Sequence, residues 1–132
     1  MRTFELRTSA FAFHDITNEV KLVVRESGVA EGLCTVYCPH TTAAITINEN
    51  ADPDVQRDLK FALSDAFGDH DRSEFRHYEG NSHAHLKSSL IGASETIPIH
   101  NGSLVLGIWQ GIYFCEFDGP RNRKFHVQVI GR

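Results

Sequence analysis

The segment CPHTTAAITINENADPD, from Cys38 to Asp54, reads as a strand that leads into a helix. Side chains alternate across a strand, so this one has two unlike faces. The first is a row of small and polar groups, formed by Cys38, His40, Thr42, Ala44, Thr46 and Asn48. The second is mostly apolar, formed by Thr41, Ala43, Ile45, Ile47 and Glu49. We therefore expect the second face to pack in the core and the first to line one wall of a site.

The end of this segment carries the strongest helix signal in the chain. Asp52 suits the N-cap and Pro53 suits the first helical position. Apolar residues then recur every four positions until Gly68, at Val55, Leu59, Leu63 and Phe67. This spacing places them on one side of a helix and predicts one long helix.

Two shorter helices and a long loop accompany it. One helix is predicted from a cap at Asp15 or Thr17 to about Ser27, and the other over residues 83–91. The polar segment 69–82 between the long helix and the last one has no periodicity and is predicted to be a loop. Loops of this length in compact domains are usually functional or disordered.

The remaining sequence is dominated by strands. Alternating or apolar runs predict them over 2–9, 32–38, 40–48, 95–99, 103–117 and 124–130. Pro39 interrupts the second and third, and Asn101-Gly102 predicts a hairpin turn. The fold class that follows is α+β: a mainly antiparallel, twisted β-sandwich with one long and one or two short helices, forming a single domain over 1–132.

The run 103–117 is apolar on both faces, so we expect both to be covered. A straight strand of this length would span roughly 50 Å, which is too long for the domain. Bends or bulges are expected at Gly107 and Gly111. Because one small chain has difficulty covering both faces, a homo-oligomer is expected.

Net charge, apolar runs and cysteine spacing limit the classes of protein to which the chain can belong. The formal net charge of −4 gives no reason to expect nucleic-acid binding. No apolar run reaches the ~20 residues of a membrane span, and the segment at Met1 lacks the apolar core of a signal peptide. A cytoplasmic protein without membrane association is the expectation. Cys34 and Cys38 are too far apart along one strand to form a disulfide.

Histidines are the first group of candidate site residues. His40 lies two positions from Cys38, and such a pair can ligate zinc or another divalent metal. The alternative is a histidine at the end of a strand that is hydrogen-bonded to backbone. His77 and His85 could reach the same place. His83 and His85 are two residues apart on a helix, so only one of them is expected to point into a given site.

Anion binding is a second possibility. Asn81-Ser82 can cap the helix at 83–91, whose start offers free backbone N–H groups, with Lys87 and Ser88 close by. Arg121 and Arg123 follow an Asp-Gly-Pro turn and could clamp a phosphate. Glu116, at the end of a buried strand, could bind Mg²⁺ or act as a base. The alternative is a capped surface helix with solvated charges.

Three long motifs are similar to those of a known family. HTTAAITINENADPDV (40–55), AHLKSSLIG (84–92) and LGIWQGIYFCEFDGPR (106–121) resemble the YjbQ-like family, also called secondary thiamine-phosphate synthase enzymes. The resemblance covers nearly the whole chain. It implies a β-sandwich that assembles as a homotrimer and makes thiamine phosphate from a pyrimidine pyrophosphate and a thiazole phosphate.

The resemblance also implies roles for individual residues. The family motifs fall on His40, Thr41, Thr42, Asn48, Glu49, His77, His85, Lys87, Ser88, Trp109, Gln110, Glu116 and Arg121. Lys87 and Arg121 would hold the pyrophosphate, His40 or His85 would move protons, and Mg²⁺ on Glu116 or Glu49 would assist departure. His83 stands where the family more commonly has a small residue, so it is not expected to be a ligand.

Two other classes of function stay open. The first is a non-catalytic trimer that binds a metal, at His40, His77 and His85, or an anion such as a phosphorylated small molecule. The second is an assembly protein whose trimer is its whole function. The sequence leaves undecided whether His40 meets a metal ion or a phosphate.

Overall fold

The computed structural model describes residues 1–132 as three helices and two antiparallel sheets, which confirms the α+β class. The helices are α1 (Thr17–Ser27), α2 (Pro53–Phe67) and α3 (Ser82–Ile91). The strands are β1 (Arg2–Arg7), β2 (Ala12–Asp15), β3 (Gly32–Tyr37), β4 (Ala43–Glu49), β5 (Ser94–His100), β6 (Ser103–Leu104), β7 (Gln110–Glu116) and β8 (Asn122–Gly131). No helix is both long and apolar enough to cross a membrane.

The two sheets differ in size and share one core. The larger has the order β1-β8-β3-β5-β6, and the smaller has the order β2-β7-β4. Apolar side chains from both sheets and from α1 form the main cluster, among them Val20, Val36, Ile45, Phe114 and Val127. A second cluster of Ala44, Ala84, Tyr113, Cys115 and Phe117 lies on the other face of the small sheet, where α3 covers it.

The faces of β4 are as the alternation predicts. Ala43, Ile45 and Ile47 pack in the main cluster, whereas Ala44 points to the second cluster beneath α3. The strand is shorter than the predicted 40–48, because no strand forms between Tyr37 and Ala43. The predicted row of alternating residues is therefore broken, and Cys38 packs in the main cluster rather than beside the polar residues.

The single long strand predicted over 103–117 is wrong. Its first part, β6, pairs with β5 in the large sheet, and its last part, β7, is the central strand of the small sheet. Residues 105–109 turn the chain from one sheet to the other, with the Gln110 side chain accepting a hydrogen bond from the Gly107 N–H at 2.7 Å. The bend expected at Gly107 is present. At Gly111 a Cβ would collide with the Asn50 side chain, so any larger residue there would require Asn50 to shift.

The hairpin turn and the start of α2 have the predicted structure, whereas one short strand was missed. Asn101 and Gly102 both have positive φ and join β5 to β6. Asp52 accepts a hydrogen bond from Asp54 N–H at 2.9 Å and so caps α2. The strand β2 was not predicted, because its four residues follow β1 after a short break and carry no alternation.

Candidate functional site

Helix α3 separates two cavities. Successive residues of a helix are about 100° apart, so positions 83 and 87 lie on one side and positions 85, 88, 89 and 92 on the other. Ala84 lies between them and packs in the second cluster. The cavity on the first side contains Lys87 and His83, and the cavity on the other contains His85 and Ser88. The expectation that His83 and His85 do not share a site is confirmed.

We call the cavity beside His85 the imidazole groove. It has a volume of about 470 Å³. Its lining residues are His40, Thr41, Ala43, His85, Ser88, Ser89, Gly92 and Ala93. His77, in the loop before α3, contacts His85 with 5.3 Å between the ring centres. The structure thus brings the three histidines predicted as metal ligands to one side of α3.

His40 occupies the place where the β3–β8 ladder stops. Continuing the register past Tyr37 and His126 would set Pro39 opposite Lys124, and proline has no N–H to donate. The His40 ring fills this gap: its Nε2 lies 3.0 Å from Lys124 N and 3.1 Å from Lys124 O. Either tautomer therefore finds a backbone partner. Burial and the charge of Arg123 lower the pKa of His40, so the ring is neutral near pH 7.

Two of the three hydroxyl residues of the groove, Thr41 and Ser88, have different environments. The Ser88 hydroxyl donates to the Thr41 carbonyl at 2.6 Å and thereby ties α3 to the segment before β4. Thr41 itself is exposed. Of the polar row predicted on the opening segment, Thr42 turns instead toward Arg123, and exposed Asn48 accepts a hydrogen bond from the Glu49 N–H.

We call the cavity on the opposite side of α3 the lysine pocket. It has a volume of about 320 Å³ and is lined by Ala10, Phe11, Asp69, His83, Lys87, Phe117, Asp118 and Gly119. The Lys87 side chain is 1% exposed. Its Nζ lies 3.3 Å from His83 Nδ1, 3.6 Å from Asp69 Oδ1 and 5.0 Å from the Phe11 ring centre.

The pKa values of this pair follow from burial. Burial lowers the pKa of Lys87 below its usual range, although the Asp69 carboxylate acts to raise it. Burial and the positive charge of Lys87 lower the pKa of His83, against the carboxylates of Asp71, Asp118 and Asp69. A neutral imidazole next to a buried amine is an arrangement in which a proton can pass between the two.

Two polar atoms at the start of α3 have no hydrogen-bond partner. Asp71 accepts a hydrogen bond from the backbone N–H of His83 through Oδ1 at 3.0 Å, and its buried Oδ2 is unpaired. Asn81 donates to Asp118 Oδ2 at 2.8 Å, and its buried Oδ1 is unpaired. Asp71 thus takes the capping role predicted for Asn81-Ser82. Unpaired buried acceptors are rare in proteins and mark places where a donor group can bind.

Glu116, a predicted base or Mg²⁺ ligand, is fully engaged within the protein. Its carboxylate accepts hydrogen bonds from Thr8 Oγ1 at 2.5 Å, from Arg123 Nε and Nη2 at 2.7 and 2.6 Å, and from Asp118 N at 3.0 Å. Burial acts to raise the pKa of Glu116, but these hydrogen bonds outweigh it and hold the pKa below the ordinary value. Both oxygens are occupied, so in this arrangement the group neither binds a metal nor accepts a proton from a ligand.

The cations predicted to hold a phosphate are also engaged. Arg121 donates to the Asp118 carbonyl at 2.7 Å and to its carboxylate at 2.9 Å. Lys87 lies in the lysine pocket, away from the imidazole groove. The structure therefore does not bring Lys87, Arg121, His40 and His85 together around one ligand.

Two residues of these sites, Asp69 and Asp71, were not singled out from the sequence. Arg123 was predicted to clamp a phosphate but pairs instead with Glu116, a partner that could not be identified because the pair joins strands β7 and β8 across a turn. Asp69 and Asp71 lie in the loop 69–82, whose path no periodicity predicts. His83 was discounted, and the i, i+4 spacing to Lys87 was the available signal for their contact.

No group of three or more His, Cys, Asp or Glu side chains is arranged to hold a metal ion within the chain. The three cysteines, Cys34, Cys38 and Cys115, are free and buried. Burial raises the pKa of Cys34 and Cys38 to about 11, so neither thiol is ionised near pH 7.

Comparison with known proteins gives consistent results over the full length. The family profile described as "UPF0047 protein YjbQ-like" matches residues 2–132. The chain is 47% identical to UPF0047 protein YugU of Bacillus subtilis, over 99% of both chains. It is 53% identical to a UPF0047 protein of Methanocaldococcus jannaschii, over 89% of this chain and 83% of that protein.

Solved structures share the fold. A Clostridium acetobutylicum protein, 56% identical, superposes with a TM-score of 0.94 over 98% of this chain and 100% of that one. A Sulfolobus solfataricus protein, 33% identical, also gives 0.94, over 99% and 96% of the two chains. The first is described as an uncharacterized conserved protein and the second as a YbjQ-like protein of unknown function.

These comparisons correct the activity that the sequence resemblance implied. The relatives are named as UPF0047 proteins or described as of unknown function, and none is named a thiamine-phosphate synthase. The assignment of that activity is wrong on this basis. The Mg²⁺ expected with it depended on Glu116 or Glu49, and Glu116 is paired with Arg123.

Proposed function

Since the chain belongs to the UPF0047 YjbQ-like family, whose solved relatives described above have no assigned activity, we propose a function from the site itself. The imidazole groove binds a divalent transition metal ion of the zinc class, with His77 and His85 as ligands. The observation that carries this proposal is the contact between the two rings, with their centres 5.3 Å apart.

The ring separation suits a shared metal ion. Zinc–nitrogen bonds of about 2.0–2.1 Å in a tetrahedral arrangement place the centres of two ligating imidazoles about 5 Å apart. The Glu79 carboxylate, with Oε1 3.8 Å from His77 Nε2, could orient that ring from behind. Carboxylates in this position fix the tautomer of metal-ligating histidines.

The charges of the groove favour a metal over a phosphate. Lys87 and Arg121, the cations that would hold a phosphate, are paired elsewhere with Asp69 and Asp118. His40 lines the groove as a neutral imidazole, and neutral imidazole is the form that ligates metals.

Two ligands from one chain leave coordination positions for other groups. We propose that self-association as a homotrimer, the assembly implied by the resemblance, supplies further groups near the groove. Large apolar side chains that are exposed in the single chain support self-association: Phe61 is 72% exposed, Leu90 61%, Ile108 87% and Trp109 59%. Light scattering coupled to size exclusion measures the assembly directly, and a monomer at micromolar concentration would contradict it.

The metal proposal is tested by titrating Zn²⁺ into metal-free protein purified without an affinity tag. We expect stoichiometric binding by calorimetry in the wild type and a loss of at least about tenfold in affinity in His85→Ala, because one of few ligands is removed. The matched control is His70→Ala, which removes an exposed histidine of the same polar region and should bind as the wild type does.

Three results would contradict the proposal. These are the absence of stoichiometric binding in the wild type, equal affinity in His85→Ala, and equal losses in the His85 and His70 variants. A parallel titration with inorganic phosphate tests the alternative that the groove is an anion site. That alternative would be favoured if the wild type bound phosphate but no metal and if His85→Ala lost the phosphate binding.

A further inference from the structure

The lysine pocket contains a buried ammonium group whose hydrogen-bonding capacity is not filled. Lys87 lines this cavity, and its side chain is 1% exposed. An ammonium group has three N–H donors, but only His83 Nδ1, at 3.3 Å, lies within hydrogen-bond distance of Nζ. Lysine is almost never fully buried without close partners, so the incomplete set around Lys87 requires an explanation.

The second neighbour of Nζ is a carboxylate that holds it loosely. Asp69 Oδ1 lies 3.6 Å from Nζ, beyond hydrogen-bond distance, and the Asp69 side chain is 58% exposed. Water screens an ion pair of this kind, so little free energy is lost when the pair opens. Asp69 therefore stands where a carboxylate ligand would bind, and a carboxylate that enters the cavity can form the shorter, charge-assisted hydrogen bond that Asp69 does not make.

The walls of the pocket suit an apolar body with one negative charge. Phe11 and Phe117 line the cavity, and the Phe11 ring centre is 5.0 Å from Lys87 Nζ. Lys60 adds a second positive charge 5.6 Å from the same ring centre. Asp118 also lines the cavity, and its carboxylate disfavours a ligand with two or more negative charges. A monocarboxylate meets these conditions better than phosphate does.

We propose that the lysine pocket binds a small monocarboxylate with an apolar body, such as an aromatic or branched aliphatic acid. Its carboxylate displaces Asp69 and accepts hydrogen bonds from Lys87 Nζ, and its apolar body packs against Phe11 and Phe117. The cavity volume of about 320 Å³ limits the ligand to a small molecule. This site lies on the opposite side of α3 from the imidazole groove and does not depend on metal binding there.

Two features allow one carboxylate to replace the other. His83 accepts a hydrogen bond from Nζ at i, i+4 on the same helix, which keeps the ammonium group in place when Asp69 leaves. Asp69 follows Gly68, just beyond the end of α2, so its side chain can turn into solvent without disturbing a helix or strand. The free protein and the complex therefore differ mainly in which carboxylate lies beside Lys87.

Calorimetry with benzoate and 4-methylpentanoate tests the proposal on the full chain at about pH 7. The matched neutral probes are benzamide and 4-methylpentanamide, which keep the shape of each acid and lack its charge. We expect at least one acid to bind with a dissociation constant at or below about 1 mM. Its amide should bind at least about tenfold more weakly, because only the acid forms the charge-assisted hydrogen bond. Binding of neither acid, or equal binding of acid and amide, would overturn the proposal.

Two lysine variants locate the bound acid. Lys87→Met keeps the length of the side chain and should lower the affinity for the acid at least about tenfold, with a circular dichroism spectrum that matches the wild type. Lys21→Met removes an exposed lysine of α1 and should bind the acid as the wild type does. Equal affinity in Lys87→Met and the wild type would contradict the proposal. So would inorganic phosphate that binds more tightly than either acid and is lost in Lys87→Met.

The displacement of Asp69 is tested by a gain of affinity. Asp69→Asn removes the competing carboxylate and should raise the affinity for the acid several-fold, whereas a purely structural role for Asp69 predicts no gain. Asp65→Asn removes an exposed carboxylate of α2 and measures the general effect of losing one negative charge. Because Asp69→Asn retains Lys87, it tests the pocket even if Lys87→Met fails to fold. Equal affinities in the two aspartate variants, or a loss in Asp69→Asn, would contradict the proposal.

Discussion

Glu116 and Lys87 are both charged side chains with almost no exposure, yet their surroundings differ. Glu116 is 0% exposed and accepts four hydrogen bonds, from Thr8, Arg123 and the Asp118 backbone. Lys87 is 1% exposed and has a neutral imidazole at 3.3 Å and a largely exposed carboxylate at 3.6 Å. Only Lys87 borders a cavity.

The difference separates a buried charge with close partners on all its polar atoms from one without them. Removing a charge from water costs several kcal/mol. This cost is offset only when an opposite charge is close and hydrogen bonds occupy the remaining polar atoms. The Glu116–Arg123 pair meets this condition, and its groups are fixed between the ends of β7 and β8. Lys87 does not meet it, and its charged form is the one that burial disfavours. Incompletely paired groups with shifted pKa values beside a cavity are typical of functional sites.

The largest expected effect on stability comes from breaking the buried Glu116–Arg123 pair. Arg123→Met leaves the Glu116 charge buried without its main partner and should lower the free energy of unfolding by about 3–5 kcal/mol. The measurement is urea unfolding at fixed protein concentration. Arg121→Met is the matched control, because Arg121 is exposed and should cost less than about 1 kcal/mol. Equal losses of unfolding free energy in the two variants would show that the buried Glu116–Arg123 pair contributes no more to stability than the exposed Arg121.

Acid should weaken the same pair by a smaller amount, because a protonated carboxyl group keeps some of its hydrogen bonds. The folded-state pKa of Glu116 lies below the ordinary value of 4.5, so the unfolded chain takes up the proton first as pH falls. The stability that this group contributes is present above about pH 4.5 and is lost as pH falls through the folded pKa.

The check on this prediction is the pH dependence of urea unfolding in the wild type and in Glu116→Gln. The stability of the wild type should fall more steeply below pH 4.5 than that of the variant. Asp69 and Asp118 also have lowered pKa values and contribute to both proteins equally, so the difference in slope belongs to Glu116. Parallel curves would show that Glu116 is not the titrating group.

The smallest effect on stability is expected from replacing Lys87, whose charge lacks a close and buried partner. Lys87→Met should change the free energy of unfolding by less than about 1 kcal/mol, because it replaces a desolvated amine with an apolar group of similar length and leaves Asp69 in water. Thermal or urea unfolding measures the change. A loss as large as that of Arg123→Met would mean that Lys87 is held by partners as complete as those of Glu116 and would argue for a structural role.

The elements with strong local signals were predicted well. Helix α2 begins after Asp52, and the Asn101-Gly102 turn joins two strands, because capping and turn chemistry act within a few residues. The α+β class follows from counting such elements. The predictions failed where one run of apolar residues serves two sheets, as in 103–117, because periodicity alone does not show where a chain changes partners.

The candidate site was predicted in part for the same reason. His40, Thr41, His85 and Ser88 were selected from the sequence and lie around one groove, with His77 against His85. Lys87 was selected too, but as part of the same site, whereas the helix places it on the opposite side. A spacing of two residues between positions 85 and 87 already excludes a common face on a helix.

The sequence by itself determined the local chemistry of this protein: where strands and helices begin, which face of β4 is apolar, and which residue types can ligate or react. The tertiary structure alone decided which of these residues meet. It paired Glu116 with Arg123, set the His40 ring against Lys124 where Pro39 leaves a gap, and placed Asp69 beside Lys87. Such contacts join residues that are far apart in the sequence or on opposite sides of a turn, so they arise only when the sheets and helices have packed together.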